Sequence, residues 1–174
     1  SLPQSAEELP ADYALQNPAD YISAVKALLK DITNNAGVSP EDIISIGIDF
    51  TACTVLPVDK NYKPLCMNPR FRKNPHSWVK LWKHHGAQAE ADEINETARR
   101  RGEIFLDYYG GSSSSEWFFA KAMEVYHKAP EIYEATELFV EAGDWVIWAL
   151  TGEMTTSTCM AGYKAFWNHE TGYP

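Results

Sequence analysis

Four polar or small residues interrupt a long apolar stretch in the first third of the chain, residues 43–59. They are Asp49, Thr51, Ala52 and Cys53. The residues on either side are rich in β-branched side chains, which favour strands, and the segment 59–64 has the composition of a turn. We interpret the stretch as two buried strands with a polar junction between them. Such a junction is a rigid place to hold a small molecule.

Two charged side chains are candidates for contacting that molecule. Lys164 is a lone cation among small and aromatic residues, and such a lysine either reaches solvent or donates hydrogen bonds into a pocket. Asp49 follows the first expected strand, where open α/β sheets bind ligands, although a carboxylate there can equally cap a turn. The sequence favours neither interpretation for either residue.

Two other motifs resemble chemical sites but have simpler structural interpretations. The Gly-Ser run at residues 110–115 resembles a phosphate-binding loop, but it lacks the Lys-Ser/Thr ending of a P-loop, so a flexible helix entry is favoured. His84 and His85 lie near Asp92 and Glu93, as in a metal site. Because adjacent side chains on a helix point about 100° apart, a structural or solvent-facing role is favoured.

Cys53 and the six tryptophans are similarly ambiguous. A nucleophilic cysteine needs a nearby base, and no histidine lies close to Cys53 in sequence, so a small buried thiol is favoured. Tryptophans can stack on sugars, but Trp145 and Trp148 occur at helical spacing among apolar residues and are expected in the core. For Trp82 and Trp117 both interpretations stay open.

The composition argues against several classes of protein. A chain of 174 residues can form one domain with a real core, and 45% hydrophobic and 22% charged residues are ordinary for a soluble globular protein. A net charge of −9 argues against nucleic-acid binding, which requires a basic surface. Three cysteines without close pairing indicate reduced thiols and a cytoplasmic location. Neither a signal-peptide pattern nor an apolar run long enough to span a membrane is present in the sequence.

The hydrophobic periodicity predicts an α/β domain whose second half is mostly helical. Residues 1–16 are expected to form an irregular arm, and Asn17 is expected to cap a helix that packs on the sheet. The elements predicted after the strand pair are a loop at 68–74, a helical hairpin at 75–101, helices at 116–128 (capped by Ser115), 131–139 and about 145–150, and a strand-like segment at 155–158. The residues alone indicate a polyol-sized site and no assignable reaction.

Several segments, in order along the chain, resemble one protein family. Residues 47–53, Gly-Ile-Asp-Phe-Thr-Ala-Cys, followed by Asp59, resemble a hairpin of the FGGY carbohydrate kinases. The Asp-Phe-Thr-Ala-Cys variant and the segment 74–85 resemble the ribulokinase branch of that family in particular. Further matching segments lie at residues 109–111, 114–117, 141–145 and 161–165. The resemblance extends over residues 13–174.

This resemblance implies a ribonuclease-H-like fold of the actin-like ATPase superfamily. Residues 1–174 are then a partial N-terminal, sugar-binding domain, built from a strand hairpin with several packed helices. The ribulokinase branch uses ATP to phosphorylate the primary hydroxyl of L-ribulose, giving L-ribulose 5-phosphate in L-arabinose catabolism. The matching sugar contacts are Ala52, which is small enough for the sugar to approach the backbone, and Lys164, which donates to sugar oxygens. Thr51 stands where glutamine is commoner in the family.

The resemblance also implies where the remaining chemistry lies. In the family, the phosphate loop precedes the segment that matches this chain, and the catalytic aspartate and nucleotide-binding domain follow it. ATP and Mg²⁺ are therefore expected for the parent enzyme, with no catalytic, cofactor-binding or metal-binding residue in this segment and no activity in isolation. The expected partners are L-ribulose and the rest of the kinase chain, and homo-oligomerisation stays open. The alternatives are a kinase for another pentulose and a non-catalytic sugar-binding or interaction module.

Overall fold

A computed structural model describes residues 2–3 and 8–174 and confirms the predicted α/β class. In this described part the elements, in chain order, are β1 (Leu15–Gln16), α1 (Pro18–Asn35), β2 (Val55–Val58), β3 (Val79–Lys80), α2 (Gln88–Arg101), α3 (Phe118–Lys128), α4 (Pro130–Ala135), β4 (Leu138–Glu141), α5 (Ala142–Thr151) and α6 (Thr158–Lys164). None of the helices among these residues is long and apolar enough to cross a membrane.

A small antiparallel sheet carries the main core. Its strand order is β1-β3-β2-β4, and the longest pairing joins β2 to β4, from Val55 opposite Glu141 to Val58 opposite Leu138. Every residue of β2 is buried, as expected for a central strand covered on both faces. The core cluster consists of Leu56, Val58, Val79, Val140, Ala142, Trp145, Val146 and Trp148. The prediction that Trp145 and Trp148 lie in the core is therefore confirmed.

Helix α1 begins as its sequence predicts. The side chain of Asn17 accepts a hydrogen bond from the Ala19 amide at 3.2 Å, and Pro18 occupies the first turn, where its missing N–H costs nothing. The first half of the helix packs on the core through Tyr21, Ile22 and Val25. The second half does not, since Leu28 and Ile32 are exposed. The predicted packing on the sheet therefore holds only for the first half.

The first strand of the predicted hairpin does not form. Of the described residues 43–54, none is in a strand, and Ile44 is 95% exposed. A strand needs a neighbour for its backbone N–H and C=O groups, and the segment has none in the described part of the chain. Only its end is anchored, because Ile48 and Phe50 pack against the core. Strand β2, the other half of the predicted pair, is held by β3 and β4 instead.

The predicted irregular arm needs a correction at its C-terminal end. Leu15 and Gln16 form β1, which pairs with Lys80 and Val79 of β3, and pairing with a strand far along the chain overrides the polar composition of the arm. Residues 1 and 4–7 of that arm lie outside the described residues.

Tertiary pairing also places strands within two segments that were predicted to be helical. Residues 75–101 do not form a helical hairpin: Pro75–Ser77 is a 3-10 turn capped by Asn74, and β3 follows it. Only its second helix forms, as α2, with Ala98 buried. The predicted helix at 131–139 ends at Ala135, and β4 continues the chain. Short apolar runs fit both periods, and pairing with β2 selects the strand.

Three helix boundaries in the C-terminal half complete the comparison. The helix predicted at 145–150 is α5, which Gly152 ends in the left-handed conformation that glycine adopts readily. Helix α3 begins at Phe118 after Trp117, so Ser115 is not its N-cap. Residues 155–158 are not a strand, because the Ser157 hydroxyl accepts from the Met160 amide and caps α6.

A buried group of charged and polar side chains, here called the charged cluster, joins β3 to α3. Glu124 of α3 accepts from Lys80 at 2.8 Å and from His84 at 2.8 Å, and none of the three side chains is more than 2% exposed. Lys80 also contacts His76, whose other ring nitrogen contacts Tyr13. Gly86 lies so close to this cluster that an added Cβ would stand 2.6 Å from Glu124. These contacts fix α3 against the sheet.

Candidate functional site

The polar junction is a tight turn at residues 51–54, directly before β2. Cys53 has φ 65°, a left-handed conformation that costs a non-glycine residue free energy. The Thr54 hydroxyl donates to the Thr51 carbonyl at 2.8 Å, and the Ala142 amide donates to the Thr54 carbonyl at 2.7 Å. Cys53 and Thr54 are buried, Ala52 is half-buried and Thr51 is exposed. The turn therefore presents its small residue, Ala52, near the surface.

The segment before the turn is held by close packing at the start of α5. Phe50 packs edge-to-face on Tyr21 of α1, with ring centroids 5.1 Å apart. A Cβ atom added to Gly143 would lie 3.1 Å from the Cβ of Phe50, which is closer than most Cβ contacts in proteins. Glycine at position 143 therefore lets α5 approach Phe50 and fixes the chain as it enters the junction.

Two buried charged side chains hold the backbone of Cys53 from opposite sides. Glu141, the last residue of β4, accepts a hydrogen bond from the Cys53 amide at 3.0 Å. Lys121 of α3 donates to the Cys53 carbonyl at 2.5 Å and to the Leu81 carbonyl at 2.8 Å. We call Glu141, Lys121 and the Cys53 peptide groups the Cys53 clamp. The clamp ties the junction to two different elements of the fold.

Burial shifts the protonation equilibria of the Cys53 clamp. It raises the pKa of Glu141 to about 7, although the Cys53 amide and the charge of Lys121 act in the other direction. It lowers the pKa of Lys121 to about 8. Burial, together with the nearby Glu141 carboxylate, raises the pKa of the Cys53 thiol to about 12. A thiol with that pKa is not a nucleophile near neutral pH, and the predicted small buried thiol is confirmed.

Lys164 is the last residue of α6 and lines an open cleft of about 670 Å³, here called the aromatic cleft. Its Nζ lies 5.2 Å from the ring centroid of Tyr163 and 6.0 Å from that of Trp117. The other lining residues are Phe105, Tyr108, Tyr109, Gly162, Phe166, Trp167, Asn168, His169 and Glu170. Aromatic faces beside polar groups are suited to a small polar molecule with apolar C–H faces.

The two predicted sugar-contacting residues lie on different features of the structure. Lys164 lines the aromatic cleft, where its positive charge acts to lower the pKa of the Cys53 thiol, against the larger effect of burial. Ala52, the neighbour of Cys53, is not among the residues that line the aromatic cleft in the described structure. Ala52 and Lys164 therefore stay predicted contacts of one ligand.

The aromatic side of the cleft is fixed by a cluster around Phe166. This residue has φ 62° and its ring packs near those of Phe105, Tyr109, Trp117 and Phe119. The Tyr109 hydroxyl donates to the Gly162 carbonyl at 2.7 Å, which connects the 3-10 turn Phe105–Tyr109 to α6. Of the tryptophans whose role the sequence left open, Trp117 lines the cleft, whereas Trp82 is 44% exposed outside it.

The other candidate motifs have structural or surface positions. Asp49 is exposed. His84 belongs to the charged cluster and His85 faces Glu116 at 3.3 Å, which confirms the favoured structural and solvent-facing interpretation. In the Gly-Ser run, the Ser113 amide donates to the Asn95 side chain at 2.6 Å, so this part of the run is held against α2.

Glu141 and Lys121 were not predicted as functional residues. The helical pattern of α3 suggested Phe118, Ala122, Val125 and Tyr126 as its inward face, but Tyr126 is 54% exposed while Lys121 is fully buried. The available signal was the spacing of Lys121 and Glu124, which places both side chains on one face of α3. Such a pair is usually a solvated surface pair, and the sequence does not distinguish the two cases.

Comparison with known proteins identifies the fold and the family. The FGGY family of carbohydrate kinases, N-terminal domain, matches residues 2–173. Two proteins named ribulokinase, from Geobacillus thermodenitrificans and Anoxybacillus flavithermus, are 53% and 50% identical over 173 residues, which is 99% of this chain and 31% of each relative. The chain thus spans about a third of the length of the relatives that it matches.

The solved structures agree at the level of the fold. A ligand-bound xylulose kinase from Lactobacillus acidophilus superposes with a TM-score of 0.70 at 17% identity, covering 95% of this chain and 30% of that one. A xylulose kinase from Brucella ovis gives a TM-score of 0.69 at 17% identity, covering 84% of this chain and 28% of that one. These similarities confirm the predicted fold class. Since the family match extends over residues 2–173, the chain belongs to the FGGY family of carbohydrate kinases.

Proposed function

We propose that this chain is the sugar-binding part of an ATP-dependent ribulokinase, which phosphorylates L-ribulose to L-ribulose 5-phosphate. The observation that carries the proposal is Lys164, a half-buried ammonium group that lines an aromatic cleft. Identity of 53% to a protein named ribulokinase supports this choice of sugar. A cytoplasmic location and a role in L-arabinose catabolism belong to the same proposal.

In this proposal the chain binds and orients the sugar. The Lys164 ammonium donates hydrogen bonds to sugar hydroxyls, and charge-assisted bonds of this kind are the stronger ones in proteins. Ala52 lets the sugar approach the backbone of the junction, which the Cys53 clamp keeps in place. The rings of Trp117 and Tyr109 face the apolar side of the sugar.

The phosphate comes from ATP bound by other parts of the longer protein. Among residues 2–3 and 8–174, no group of three or more His, Cys, Asp or Glu side chains is arranged to hold a metal ion. We assign no step of the reaction to a metal in this segment. The proposed domain assignment is a partial N-terminal domain over residues 1–174, inactive in isolation.

The proposal is tested by Lys164→Ala in the full-length protein. Losing charge-assisted hydrogen bonds to the sugar should raise the KM for L-ribulose about 10- to 100-fold, with a smaller change in the KM for ATP. Lys26→Ala removes an exposed lysine from α1 and should leave both constants unchanged. The assay is run on L-ribulose and on the other pentuloses.

Two results would contradict the proposal. An unchanged sugar KM in Lys164→Ala would remove this residue from the site. A wild-type protein that prefers another pentulose would contradict the substrate while leaving the binding site in place.

A further inference from the structure

We infer that Glu141 and Lys121 are positioning residues for sugar binding, because they hold the strained backbone of Cys53 in the conformation that presents Ala52 to the sugar. The inference rests on the proposed function, since it gives the junction a role in binding. It adds two residues that do not line the aromatic cleft and act on the sugar only through the junction.

The first reason is the backbone conformation itself. Glycine would adopt φ 65° without steric cost, but the chain has cysteine at this position. A non-glycine residue keeps such a conformation only when its surroundings determine it. Here both polar groups of the residue are fixed, because the amide donates to Glu141 and the carbonyl accepts from Lys121.

The second reason is the chemistry of the two side chains. Glu141 is 5% exposed and Lys121 is 0% exposed, and burying charged groups is unfavourable unless they are paired or hydrogen-bonded. Neither side chain forms an ion pair of 4 Å or less within the described residues. Their hydrogen bonds go to backbone groups of the junction and of residues 81–82 instead. Their arrangement therefore constrains a loop rather than joining two side chains.

The third reason is where the fixed residue lies. Cys53 follows Ala52 directly, so a change in the backbone angles of Cys53 would move the predicted sugar contact at Ala52. A small displacement of this kind weakens binding without removing any atom that touches the sugar.

The experiment uses the full-length protein and three variants: Glu141→Leu, Glu141→Gln and Lys121→Met. Glu141→Leu and Lys121→Met remove the hydrogen bonds to Cys53 and should each raise the sugar KM roughly 10-fold, with kcat and the KM for ATP changing by less than about 3-fold. Glu141→Gln keeps an oxygen that can accept from the Cys53 amide and should stay within about 3-fold of wild type. Val140→Ala is the matched control, because it shortens a core side chain of the same strand and should not change the sugar KM.

Hydrogen exchange at the amides of residues 53 and 54 supplies a second measurement that needs no substrate. In Glu141→Leu the Cys53 amide should exchange at least about 10-fold faster than in wild type, whereas Val140→Ala should leave it unchanged. Cys53→Gly, introduced into Glu141→Leu, should recover part of the lost sugar affinity because glycine adopts the required φ without help.

The outcomes separate this inference from the proposed function. Wild-type sugar KM and wild-type exchange in Glu141→Leu would overturn the inference, and so would an equal rise of KM in Val140→Ala. If Glu141→Leu does not fold, the sugar KM and the amide exchange rates of Lys121→Met test the inference in its place. If the wild type phosphorylates a different pentulose, or no sugar, the proposed function fails, and the exchange rates of the junction still confirm or overturn the role of Glu141 and Lys121.

Discussion

The charged cluster and the Cys53 clamp use the same residue types, and both draw a side chain from α3. Glu124 belongs to the cluster and Lys121 to the clamp, one turn apart on the helix and both fully buried. They differ in what they bind. Glu124 accepts from the side chains of Lys80 and His84, whereas Lys121 donates to the main chain of Cys53, Leu81 and Trp82.

This difference separates stability from the shape of a site. In the charged cluster the side chains bind one another, so removing one of them leaves an uncompensated charge in the core. In the Cys53 clamp the side chains bind the backbone of a loop, so removing one of them frees the loop and changes its geometry. Glu124 and Lys121 are both buried and charged, so these two properties do not distinguish a structural residue from a positioning one. The hydrogen-bond partner makes the distinction: a side chain in the cluster, the backbone of the junction in the clamp.

The hydrogen bonds of the charged cluster define its protonation states. The Nδ1 atom of His84 accepts from the Ala14 amide at 3.3 Å, so its Nε2 carries the proton that goes to Glu124. Burial lowers the pKa of His84, in agreement with this neutral form. Burial alone would raise the pKa of Glu124, but the hydrogen bond from His84 and the charge of Lys80 hold it well below its usual range.

The largest expected effect comes from removing the charge at the centre of the cluster. Glu124→Gln leaves the Lys80 ammonium buried without a counter-charge, and such a loss costs about 3–5 kcal/mol of unfolding free energy. The denaturant midpoint of this domain in the full-length protein measures it, and the sugar KM should stay unchanged at temperatures where the variant is folded.

Glu134→Gln makes the same chemical change at an exposed position of α4 and should alter the unfolding free energy by less than about 0.5 kcal/mol. A raised sugar KM in Glu124→Gln without loss of stability would show that the distinction between the cluster and the clamp is wrong.

The second effect is a loss of stability in acid that arises from His76. Burial, with the charge of Lys80 next in effect, lowers the pKa of His76 from 6.5 to about 4. The unfolded chain therefore binds a proton before the folded one does, so stability is fully present above pH 6.5 and falls as the pH drops through 4. The expected loss between pH 7 and pH 4 is about 3 kcal/mol.

This loss is measured by denaturant unfolding at several pH values. His76→Gln cannot titrate, so its unfolding free energy should fall less steeply with acid than that of the wild type. Parallel curves for the two proteins would contradict the buried, neutral state of His76.

The sequence predicted the elements whose signals are local. The start of α1 depends on Asn17 and Pro18, which act within one turn, and the end of α5 depends on Gly152. It failed where partners are distant. The β-branched residues at 43–48 predict a strand, but a strand forms only beside a neighbour, whereas β1, β3 and β4 form because each has one.

The candidate site shows the same limit. Ala52 and Lys164 were predicted through a family resemblance, since neither residue type in its own context specifies a ligand. Lys121 was missed because its position on the helix resembles a solvated face. It is an internal donor because it contacts the carbonyl of Cys53, which lies 68 residues away in the sequence. Local patterns contain no information about that contact.

The smallest expected effect has the opposite sign from that of His76 and belongs to the Cys53 clamp. Burial raises the pKa of Glu141 from 4.5 to about 7, so the folded state binds a proton that the unfolded state releases. Stability from this residue is therefore fully present below pH 4.5 and is lost as the pH rises through 7, by about 2 kcal/mol between pH 5 and pH 7. In the wild type the pH dependences of the unfolding free energy that arise from His76 and from Glu141 have opposite signs, so single variants are needed to separate them. Glu141→Gln should remove the loss between pH 5 and pH 7 while retaining the acid loss of His76. A Glu141→Gln curve parallel to wild type between pH 5 and pH 7 would contradict a raised pKa of Glu141 in the folded protein.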